Sequence, residues 1–392
     1  MNPETGLENF LNSLKNYEKS RNKNHFQNYT TDIFYSVLKE FIYDILPGLR
    51  ISVVGTNGKG SVSYYLGKIF SKNESIGLYT SPHIFDFSER IQFNFSNISK
   101  EWIYIFLKNQ NEKKLDLLRE LSYFEFLTLI SFIFFNETKP GVLIYEAGLG
   151  GRLDATKFIF PEIVVVTKID LDHMEILGDT KEKILNEKLG IISRYTKKIF
   201  LLHDNDFSEE YIRKKISSYI SLENVEIYIY DKSPGEFKTY LEYNFNYSKF
   251  IYNHIYKEEK INLSIPEFND LPLPKGRLEI LKSEPLLIYD TAHNPSAIIH
   301  FLLSIEKSYR LLWNICIGVL PEKDLHGILH ILIESRIIKQ IYLLCFPPFQ
   351  ISELGDKKII SLQTENDLDR IDKYNPLLIT GSFRLRQMFD NF

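Results

Sequence analysis

The chain has 392 residues, of which 44% are hydrophobic, and its formal net charge is only −4 at pH 7. This length exceeds one typical hydrophobic core, so two domains are expected. The near balance of charge gives no support for nucleic-acid binding as the main activity. The two cysteines, Cys316 and Cys345, each lie in an apolar run, which favours buried thiols in a reducing compartment over a disulfide framework.

No targeting or membrane segment is expected. Residues 1–24 are polar and charged, without the apolar core of a signal peptide. The most hydrophobic window, residues 124–135, is too short to span a bilayer and contains Glu125. The window therefore predicts a buried helix, and we expect a cytoplasmic protein without membrane partners.

In the first part of the chain, short apolar runs alternate with helical patterns. Continuous Val/Ile runs separated by helices predict a parallel sheet that is covered on both faces. The predicted strands are residues 51–54, 76–80, 142–146, 163–167 and 199–203, and the predicted helices are 62–71, 101–108, 124–135 and 181–194.

The pattern weakens over residues 216–263, which are rich in Tyr, Asn and Lys and include a strand-like run at 225–230. A Pro-spaced stretch at 271–276 suits a linker. Alternation then resumes, so we expect one domain at residues 1–276 and a smaller α/β domain at 277–392. The strands predicted there are residues 286–289, 313–319, 340–345, 358–362 and 377–380, with helices at 295–307 and 325–334.

A glycine-rich turn with one lysine, residues 55–61, lies between the first predicted strand and a helix. This arrangement holds a nucleotide phosphate, because backbone N–H groups and the positive helix N-terminus face the anion. The turn departs from the standard phosphate-loop pattern, since Gly60 separates Lys59 from Ser61. A plain surface turn is the alternative interpretation.

Polar residues also follow the other predicted strands. Ligands of an open parallel sheet bind at the carboxyl ends of its strands. A carboxylate there, beside a phosphate loop, is a candidate Mg²⁺ ligand. These residues also have plainer explanations. The acids and the lysine could be exposed to solvent, the histidine could be structural, and the aromatic run could be core packing. The groups are Ser81, Glu146, Asp170, Asp172, His173, Lys188 and the run 123–126.

Taken in order, a series of motifs resembles the folylpolyglutamate synthase/dihydrofolate synthase family of the Mur ligase superfamily. The Lys-Gly-Ser ending of the phosphate loop is that family's variant. The matching segments are residues 55–61, 79–84, 89–91, 124–128, 146–156, 171–180, 187–192, 275–279, 290–295 and 380–383.

The resemblance implies a fold and a reaction. The fold is an N-terminal, mostly parallel P-loop-type ATPase domain followed by a smaller Rossmann-like α/β domain. In the reaction, ATP phosphorylates a carboxylate of dihydropteroate or a reduced folate, and the amino group of L-glutamate attacks the acyl phosphate. The products are an amide, ADP and phosphate. A monomer is implied. Which pterin is used, or whether both are, stays open.

The resemblance also implies roles for individual residues, in a site that would draw on both domains and close to exclude water. Lys59, Lys188 and His293 would be catalytic, with Lys188 carbamylated to hold a second Mg²⁺. The first Mg²⁺ would bind Ser81, Glu146 and His173. ATP would contact Asn57, Gly58, Lys59, Gly60, Ser61, Asn246, Arg277 and Asp290. The pterin would contact Tyr123, Phe124, Glu125, Phe126, Arg152, Leu153, Asp154 and Ala155.

Three alternatives remain. A Mur-type ligase acting on cell-wall precursors would carry a UDP-binding domain before the phosphate loop, whereas here the loop begins at Gly55. A GTPase-like regulatory protein would suit the Thr-Lys-Ile-Asp run at 167–170, but no Asp-x-x-Gly lies between Ser61 and that run. A catalytically inactive homologue is disfavoured, because Lys59, Glu146, His173 and Lys188 are present together.

Overall fold

A computed structural model describes residues 3–17, 29–203, 206–256, 265–320, 323–344 and 359–389. The chain forms two compact units. The first comprises Met1–Lys232 and Tyr247–Ile265, and the second comprises Ser233–Asn246 and Pro266–Phe392. The predicted domain boundary after residue 276 stays a prediction.

The first unit is built on an eight-stranded sheet in the order β4-β3-β2-β5-β1-β6-β7-β8. All neighbouring strands from β2 to β8 in this order pair in parallel, whereas β3 and β4 pair antiparallel. The strands are β1 (Leu49–Val54), β2 (Ile76–Tyr79), β3 (Ile91–Phe93), β4 (Ser96–Asn97), β5 (Val142–Glu146), β6 (Ile163–Val166), β7 (Lys198–Leu202) and β8 (Glu226–Tyr230).

Helices flank this sheet. They are α1 (Pro3–Ser13), α2 (Asp32–Lys39), α3 (Lys59–Phe70), α4 (Lys100–Lys108), α5 (Glu112–Glu120), α6 (Tyr123–Thr138), α7 (Met174–Leu177), α8 (Lys181–Leu189), α9 (Glu209–Ile216) and α10 (Tyr240–Ile255). Every residue of β5 and β6 is buried, as expected for parallel strands covered on both faces. The parallel sheet predicted from the Val/Ile runs is therefore confirmed.

Helix α6 confirms the buried helix predicted from the most hydrophobic window. Ser122 is its N-cap and forms a capping box with Glu125. Its own residues Phe126, Phe132 and Phe135 are buried in the hydrophobic core. Among the residues that the structure describes, no helix is both long and apolar enough to cross a bilayer.

The second unit contains a six-stranded sheet in the order β13-β12-β11-β14-β10-β9, parallel except for β9 against β10. Its strands are β9 (Glu279–Ser283), β10 (Leu286–Tyr289), β11 (Trp313–Ile317), β12 (Ile338–Leu344), β13 (Ile359–Leu362) and β14 (Leu377–Thr380), and its helices are α11 (Pro295–Ser308), α12 (Leu325–Glu334) and α13 (Leu385–Met388). Cys316 is fully buried, as predicted; Cys345 lies outside the described residues.

Two helix boundaries differ from the sequence prediction. Helix α3 begins at Lys59 instead of residue 62, because Gly58 adopts a left-handed conformation and starts the helix directly. Helix α8 ends at Leu189 instead of residue 194. The chain then passes so close to Arg152 that a Cβ on Gly190 would lie 2.4 Å from the Arg152 Cβ atom.

The order of the strands creates a switch point at β1. The chain leaves β1 through α3 towards β2 on one side, whereas β6 pairs with β1 on the other side. In open α/β sheets, the crevice outside the carboxyl ends of the strands at such a point is the usual ligand site. The carboxyl ends of β1, β5 and β6 therefore mark the candidate site of the first unit.

Candidate active site

The phosphate loop connects β1 to α3 and depends on two glycines with positive φ. Gly55 has φ +152° and Gly58 has φ +91°. A Cβ on Gly55 would lie 1.8 Å from the Thr167 Oγ1 atom, so only glycine lets the loop pass the end of β6. Because α3 begins at Lys59, the Lys59-Gly60-Ser61 run forms the first turn of a 12-residue helix, where free N–H groups favour an anion.

The segment after β6 braces this loop. The Thr56 N–H donates to the Lys168 carbonyl at 2.7 Å, and the Asn57 N–H donates to the same oxygen at 3.3 Å. The Thr56 hydroxyl donates to the Asp170 carbonyl and accepts from the Asp170 N–H, both at 3.0 Å. The loop and the segment leading to His173 are thus held together as one structure.

Lys59 and Ser61 supply the polar groups of the loop. The Lys59 ammonium donates to the Gly55 carbonyl at 3.1 Å and to the Thr56 carbonyl at 3.3 Å. The Ser61 side chain is buried, and its hydroxyl oxygen has no hydrogen-bond partner among the described residues. A buried hydroxyl normally has a partner, so this one fits a phosphate or a cation that binds there.

Glu146 ends β5 and is 5% exposed. Its Oε2 atom accepts from the Ser81 N–H at 3.1 Å, which joins two of the three predicted metal ligands. A Cβ on Gly60 would lie 3.4 Å from each carboxylate oxygen of Glu146. The glycine after Lys59 therefore lets α3 pass close to the carboxylate, and a methyl group at position 60 would contact both of its oxygens.

The third predicted ligand, His173, has a left-handed backbone with φ +49° at the start of α7. Its N–H donates to the Asp172 Oδ1 atom at 3.0 Å, and its Nε2 atom lies 3.9 Å from Asp172 Oδ2. Such strain in a residue other than glycine is found at functional sites. Within the described ranges, no cluster of three or more His, Cys, Asp or Glu side chains is arranged to hold a metal.

Lys188 lies on α8 and is 3% exposed. Its side-chain nitrogen donates to the Gly55 carbonyl at 2.7 Å, so it contacts the phosphate loop directly. Burial, reinforced by the positive charge of Lys59, lowers the pKa of Lys188 well below its ordinary value, against the opposing charges of Asp172 and Asp154. Burial therefore disfavours the charged ammonium form of Lys188 beside the phosphate loop.

The glycine loop after β5 fixes the end of α8. A Cβ on Gly151 would lie 2.4 Å from the Lys188 carbonyl oxygen, so the two backbones are in close contact. The Arg152 N–H donates to the Glu187 carbonyl at 2.8 Å, and the Arg152 Nε donates to both Glu187 carboxylate oxygens at 3.0 and 3.1 Å. Arg152, predicted to contact substrate, is thus paired with Glu187.

The two carboxylates predicted to contact the pterin are both buried and hydrogen-bonded. Glu125 Oε2 accepts from the Ser122 N–H and hydroxyl at 2.8 and 2.6 Å, and Oε1 accepts from the Tyr29 hydroxyl at 2.7 Å. Asp154 accepts from the Leu149 N–H at 2.9 Å and from Thr156 through two bonds. Burial raises the pKa of Asp154 in spite of these bonds.

The remaining members of the predicted substrate segments divide by exposure. Phe126 and Ala155 are buried core residues, whereas Tyr123, Phe124 and Leu153 are half-buried. The Phe124 ring packs on Gly148, where a Cβ would lie 2.7 Å from the ring. Phe124 is therefore the aromatic residue of these segments that lines the glycine loop.

In the second unit, Asp290 follows β10 and is 2% exposed. It accepts from the Tyr240 hydroxyl at 2.5 Å and from the N–H groups of Leu278 and Ala292, both at 2.9 Å. Burial raises its pKa, and the charge of Arg277 opposes the shift. Asp290 thus fixes the turn in which Arg277 lies.

The other predicted residues of this unit are only partly buried. The Arg277 guanidinium lies 5.4 Å from the centre of the Phe383 ring, and the His293 Nδ1 atom lies 2.8 Å from the Thr291 carbonyl. The Asn246 amide donates to the Glu242 carbonyl one turn earlier in α10, at 2.9 Å.

Several residues of the site had no role assigned from the sequence. Thr56 and Gly151 lie within matched motifs, so their position was available but their contacts were not. Tyr29 lies outside every matched motif, and no sequence signal pointed to it.

Comparison with known proteins identifies the family. The sequence profile of the Mur ligase middle domain matches residues 53–267. The dihydrofolate synthase/folylpolyglutamate synthase of Buchnera aphidicola subsp. Baizongia pistaciae is 30% identical over 84% of this chain and 83% of its own length. The chain belongs to the dihydrofolate synthase/folylpolyglutamate synthase family of Mur ligases.

Solved structures show the same fold for this member of the family. E. coli FolC in complex with DHPP and ADP has a TM-score of 0.75 at 21% identity, over 98% of this chain and 97% of that one. The bifunctional folylpolyglutamate synthase/dihydrofolate synthase of Yersinia pestis, complexed with AMPPNP and a Mn ion, has a TM-score of 0.74 at 22% identity, over 96% and 95%. The predicted α/β architecture is confirmed.

Proposed function

We propose that the chain is an ATP-dependent ligase that joins L-glutamate to a carboxylate of dihydropteroate or of a reduced folate. The observation that carries the proposal is the buried, unpartnered Ser61 hydroxyl in the helix turn that also presents Lys59. The sequence relatives, named for both folate activities, support the substrate class, as does the E. coli protein with DHPP and ADP.

The chemistry requires positive charge, because a carboxylate repels nucleophiles and must approach the γ-phosphate, another anion. Lys59 lies on the phosphate loop, and the N–H groups of the first turn of α3 face the same region. A phosphate bound there would replace the loop carbonyls as the hydrogen-bond acceptor of the Lys59 ammonium. A carboxylate oxygen would attack the γ-phosphorus, with ADP as the leaving group, to give an acyl phosphate. The glutamate nitrogen would then attack the acyl carbon, displace phosphate and lose a proton to form the amide.

Mg²⁺ suits the donor set at the end of β5. Glu146, the Ser81 hydroxyl and the Ser61 hydroxyl offer the oxygen ligands that this ion prefers, and His173 is the fourth candidate. When bound, the ion would neutralise charge on the phosphates. The Mn ion in the Yersinia pestis protein supports a divalent metal.

We propose in addition that Lys188 is carbamylated. Its neutral amine would attack the carbon of CO₂ and lose one proton, which leaves an anionic carbamate. The carbamate oxygens would be ligands for a second Mg²⁺ beside the phosphate loop. The burial of Lys188 and its contact with Gly55 support this step, since a charged ammonium would not react. Mass spectrometry of Lys188 in bicarbonate-saturated and CO₂-depleted buffer tests it.

The second unit contributes a separate group of candidate ligands. We assign Arg277 and Asp290 to ATP and His293 to the glutamate-transfer step, on their positions in the matched motifs and beside the carboxyl end of β10. Asn246 is assigned to ATP only on its spacing before Arg277. Replacement of Arg277 by Ala, with the KM for ATP and for glutamate measured separately, tests the assignment. An unchanged KM for ATP would remove Arg277 from it.

The deciding experiment compares two substrates side by side. Purified protein receives ATP, Mg²⁺ and radiolabelled L-glutamate, with either dihydropteroate or tetrahydrofolate, and both labelled product and ADP are measured. We expect glutamate-dependent ADP release with at least one pterin. ADP release with neither would overturn the proposal. Turnover of GTP without glutamate would favour the GTPase alternative, and labelling of a cell-wall precursor would favour another Mur-type ligase.

We also propose a cytoplasmic monomer that binds small molecules and not nucleic acid. The free, buried thiol of Cys316 supports a reducing compartment. Light scattering of the purified protein with and without ATP tests the oligomeric state, and a mass of twice 46.1 kDa would contradict it.

A further inference from the structure

Two buried tyrosines lie directly before the strand ends that carry Ser81 and Glu146. Tyr79 is the last residue of β2 and pairs with Tyr145 of β5 in the parallel register, and both side chains are fully buried. Their rings stack with the ring centres 5.3 Å apart. Glu146 follows Tyr145 directly, and Ser81 follows Tyr79 by two residues. The two tyrosines are therefore the last pair of β2 and β5 before the predicted metal ligands.

Both tyrosine hydroxyls bind hydroxyl groups of α6. The Tyr79 hydroxyl lies 3.0 Å from the Thr128 Oγ1 atom, and the Tyr145 hydroxyl lies 2.9 Å from the Ser131 Oγ atom. The Thr128 hydroxyl donates to the Phe124 carbonyl at 2.9 Å, and the Ser131 hydroxyl donates to the Thr128 carbonyl at 2.6 Å. Since a hydroxyl has one proton, the tyrosines are the donors in the two bonds to α6.

Strand β5 lies between α6 and α3 at this point. Successive side chains of a strand point to opposite faces of the sheet. Tyr145 accordingly contacts α6, whereas Glu146 faces α3, where a Cβ on Gly60 would lie 3.4 Å from its carboxylate oxygens. The Glu146 Oε2 atom also accepts from the Ser81 N–H at 3.1 Å. A shift of either strand end along α6 would therefore change how Ser81 and Glu146 meet.

The hydroxyl groups add something that the rings alone do not supply. A phenylalanine would fill the same space without a polar group in the core, whereas a buried hydroxyl costs stability unless it is hydrogen-bonded. Stacked rings can slide past each other, but a hydrogen bond requires one distance and one direction. The two acceptors lie three residues apart on α6 and so share one face of the helix. The bonds therefore fix the ends of two neighbouring strands against the same element.

We propose that the Tyr79 and Tyr145 hydroxyls are positioning groups for the metal site: they hold the ends of β2 and β5 on α6 so that Ser81 and Glu146 present their oxygens to one divalent cation. This inference rests on the proposed function, in which such a cation binds these two residues. Neither tyrosine would contact the cation. Each would act through the ligand that follows it in the chain.

Two conservative variants and a matched control test the proposal. Tyr79→Phe and Tyr145→Phe each remove one hydroxyl and keep the ring. Tyr252→Phe is the control, because Tyr252 is also buried and its hydroxyl accepts from the Asn73 side chain at 3.2 Å. Asn73 lies between α3 and the start of β2, at the opposite end of that strand from Ser81. The readouts are the dissociation constant for Mn²⁺ in the presence of ADP, by electron paramagnetic resonance, and the midpoint of thermal unfolding.

Tyr79→Phe and Tyr145→Phe should each raise the Mn²⁺ dissociation constant about fivefold, as for the loss of one hydrogen bond. Tyr252→Phe should lower the thermal midpoint to a similar extent but leave the Mn²⁺ dissociation constant unchanged. A purely structural role would lower the midpoint in all three variants and change Mn²⁺ binding in none. Wild-type Mn²⁺ affinity in either variant overturns the role of its tyrosine, whether or not the midpoint falls.

Thr128 supplies a second test from the side of the helix. Thr128→Val removes the acceptor of Tyr79 and keeps the shape, whereas Thr128→Ser keeps the hydroxyl. We expect Mn²⁺ binding to weaken in Thr128→Val about as much as in Tyr79→Phe and to stay near the wild-type value in Thr128→Ser. The double variant of Tyr79→Phe and Thr128→Val should be no weaker than either single one, because both remove the same bond. Additive losses would contradict the proposed role of this bond.

The proposed function fails in a different way. If the wild type releases no ADP with glutamate and either pterin, the ligase proposal is wrong, while the effect of the two tyrosine variants on Mn²⁺ binding would still support the positioning role. If the wild type is active and binds Mn²⁺ but both variants match it, only the positioning role is wrong. If the wild type binds no Mn²⁺ with ADP, the metal assignment and this inference both fail.

Discussion

Lys188 and Gly55 are joined by a 2.7 Å hydrogen bond from the lysine nitrogen to the glycine carbonyl, so a buried lysine lies against the phosphate loop. The same loop carbonyl also accepts from Lys59 at 3.1 Å. Burial, together with the repulsion between the two lysines, lowers the pKa of Lys188 well below its ordinary value.

The pH dependence of stability should report this lysine. The pKa of Lys188 is lower in the folded protein than in the unfolded chain, where it is about 10.4. Between those two values the folded protein binds fewer protons, so the free energy of unfolding rises with pH there and falls as pH drops towards the folded-state pKa. Urea unfolding at pH 7 and pH 9.5, in CO₂-depleted buffer, should show a rise for the wild type.

The Lys188→Met variant should lose most of that rise, because it has no amine to titrate. Lys183→Met is the matched control, since Lys183 lies on the same helix with a side chain that is 63% exposed. If Lys188→Met keeps the full pH dependence, another group must be responsible.

Replacement of Lys59 tests the phosphate loop. Lys59→Met removes the ammonium that would face the transferred phosphate, and we expect kcat to fall about 1,000-fold, the upper range for one such donor. The protein should remain folded, because the Lys59 hydrogen bonds to the Gly55 and Thr56 carbonyls lie within its own loop. Lys68→Met on the same helix is the control, with kcat near that of the wild type. Comparable losses in both variants would mean a general effect on α3.

Much of the fold was predictable because continuous Val/Ile strands between helices have one common solution, a covered parallel sheet. Helix α10 was not predicted, since its Tyr- and Asn-rich sequence has weak helix propensity and its buried positions, such as Tyr247 and Ile251, are interleaved with polar residues. Strands β3 and β4 are too short to show an alternating pattern.

Part of the site was also predictable, and part was not. Parallel strands end at one edge, so the loop, Ser81 and Glu146 could be placed together, and the structure does bring Ser81 and Glu146 into contact. The hydrogen-bond partners of Asp154 could not be predicted, because backbone N–H groups of a loop leave no mark in the sequence. The Ser122–Glu125 spacing did carry a capping-box signature, which accounts for the hydrogen bonds between Ser122 and Glu125.

Gly60→Ala should weaken metal binding without lowering the stability of the protein. The new methyl group would lie 3.4 Å from both carboxylate oxygens of Glu146 and would reduce the room for a cation beside them. We expect the Mg²⁺ concentration for half-maximal activity to rise about tenfold, as for the loss of roughly 1.4 kcal/mol of binding.

The stability of the same variant should not fall. Position 60 lies in α3, where alanine is favoured over glycine by up to about 1 kcal/mol. Magnesium titrations of activity and thermal unfolding, measured on one preparation, check both parts. An unchanged magnesium dependence would show that this face of Glu146 is not used.

Thr56 offers the last test, because its hydroxyl both donates to and accepts from the backbone of Asp170 at 3.0 Å. Thr56→Val keeps the shape but loses both bonds, each worth about 1 kcal/mol, and leaves the Asp170 N–H without its acceptor. Thr56→Ser keeps both bonds. Since the Asp170 segment leads to Asp172 and His173, the valine variant should loosen the phosphate loop and the His173 turn together.

ADP binding by calorimetry should weaken roughly tenfold in Thr56→Val and stay near the wild-type value in Thr56→Ser. Wild-type affinity in Thr56→Val would show that the hydroxyl does not support the loop, and a loss in Thr56→Ser alone would point to the missing methyl group instead.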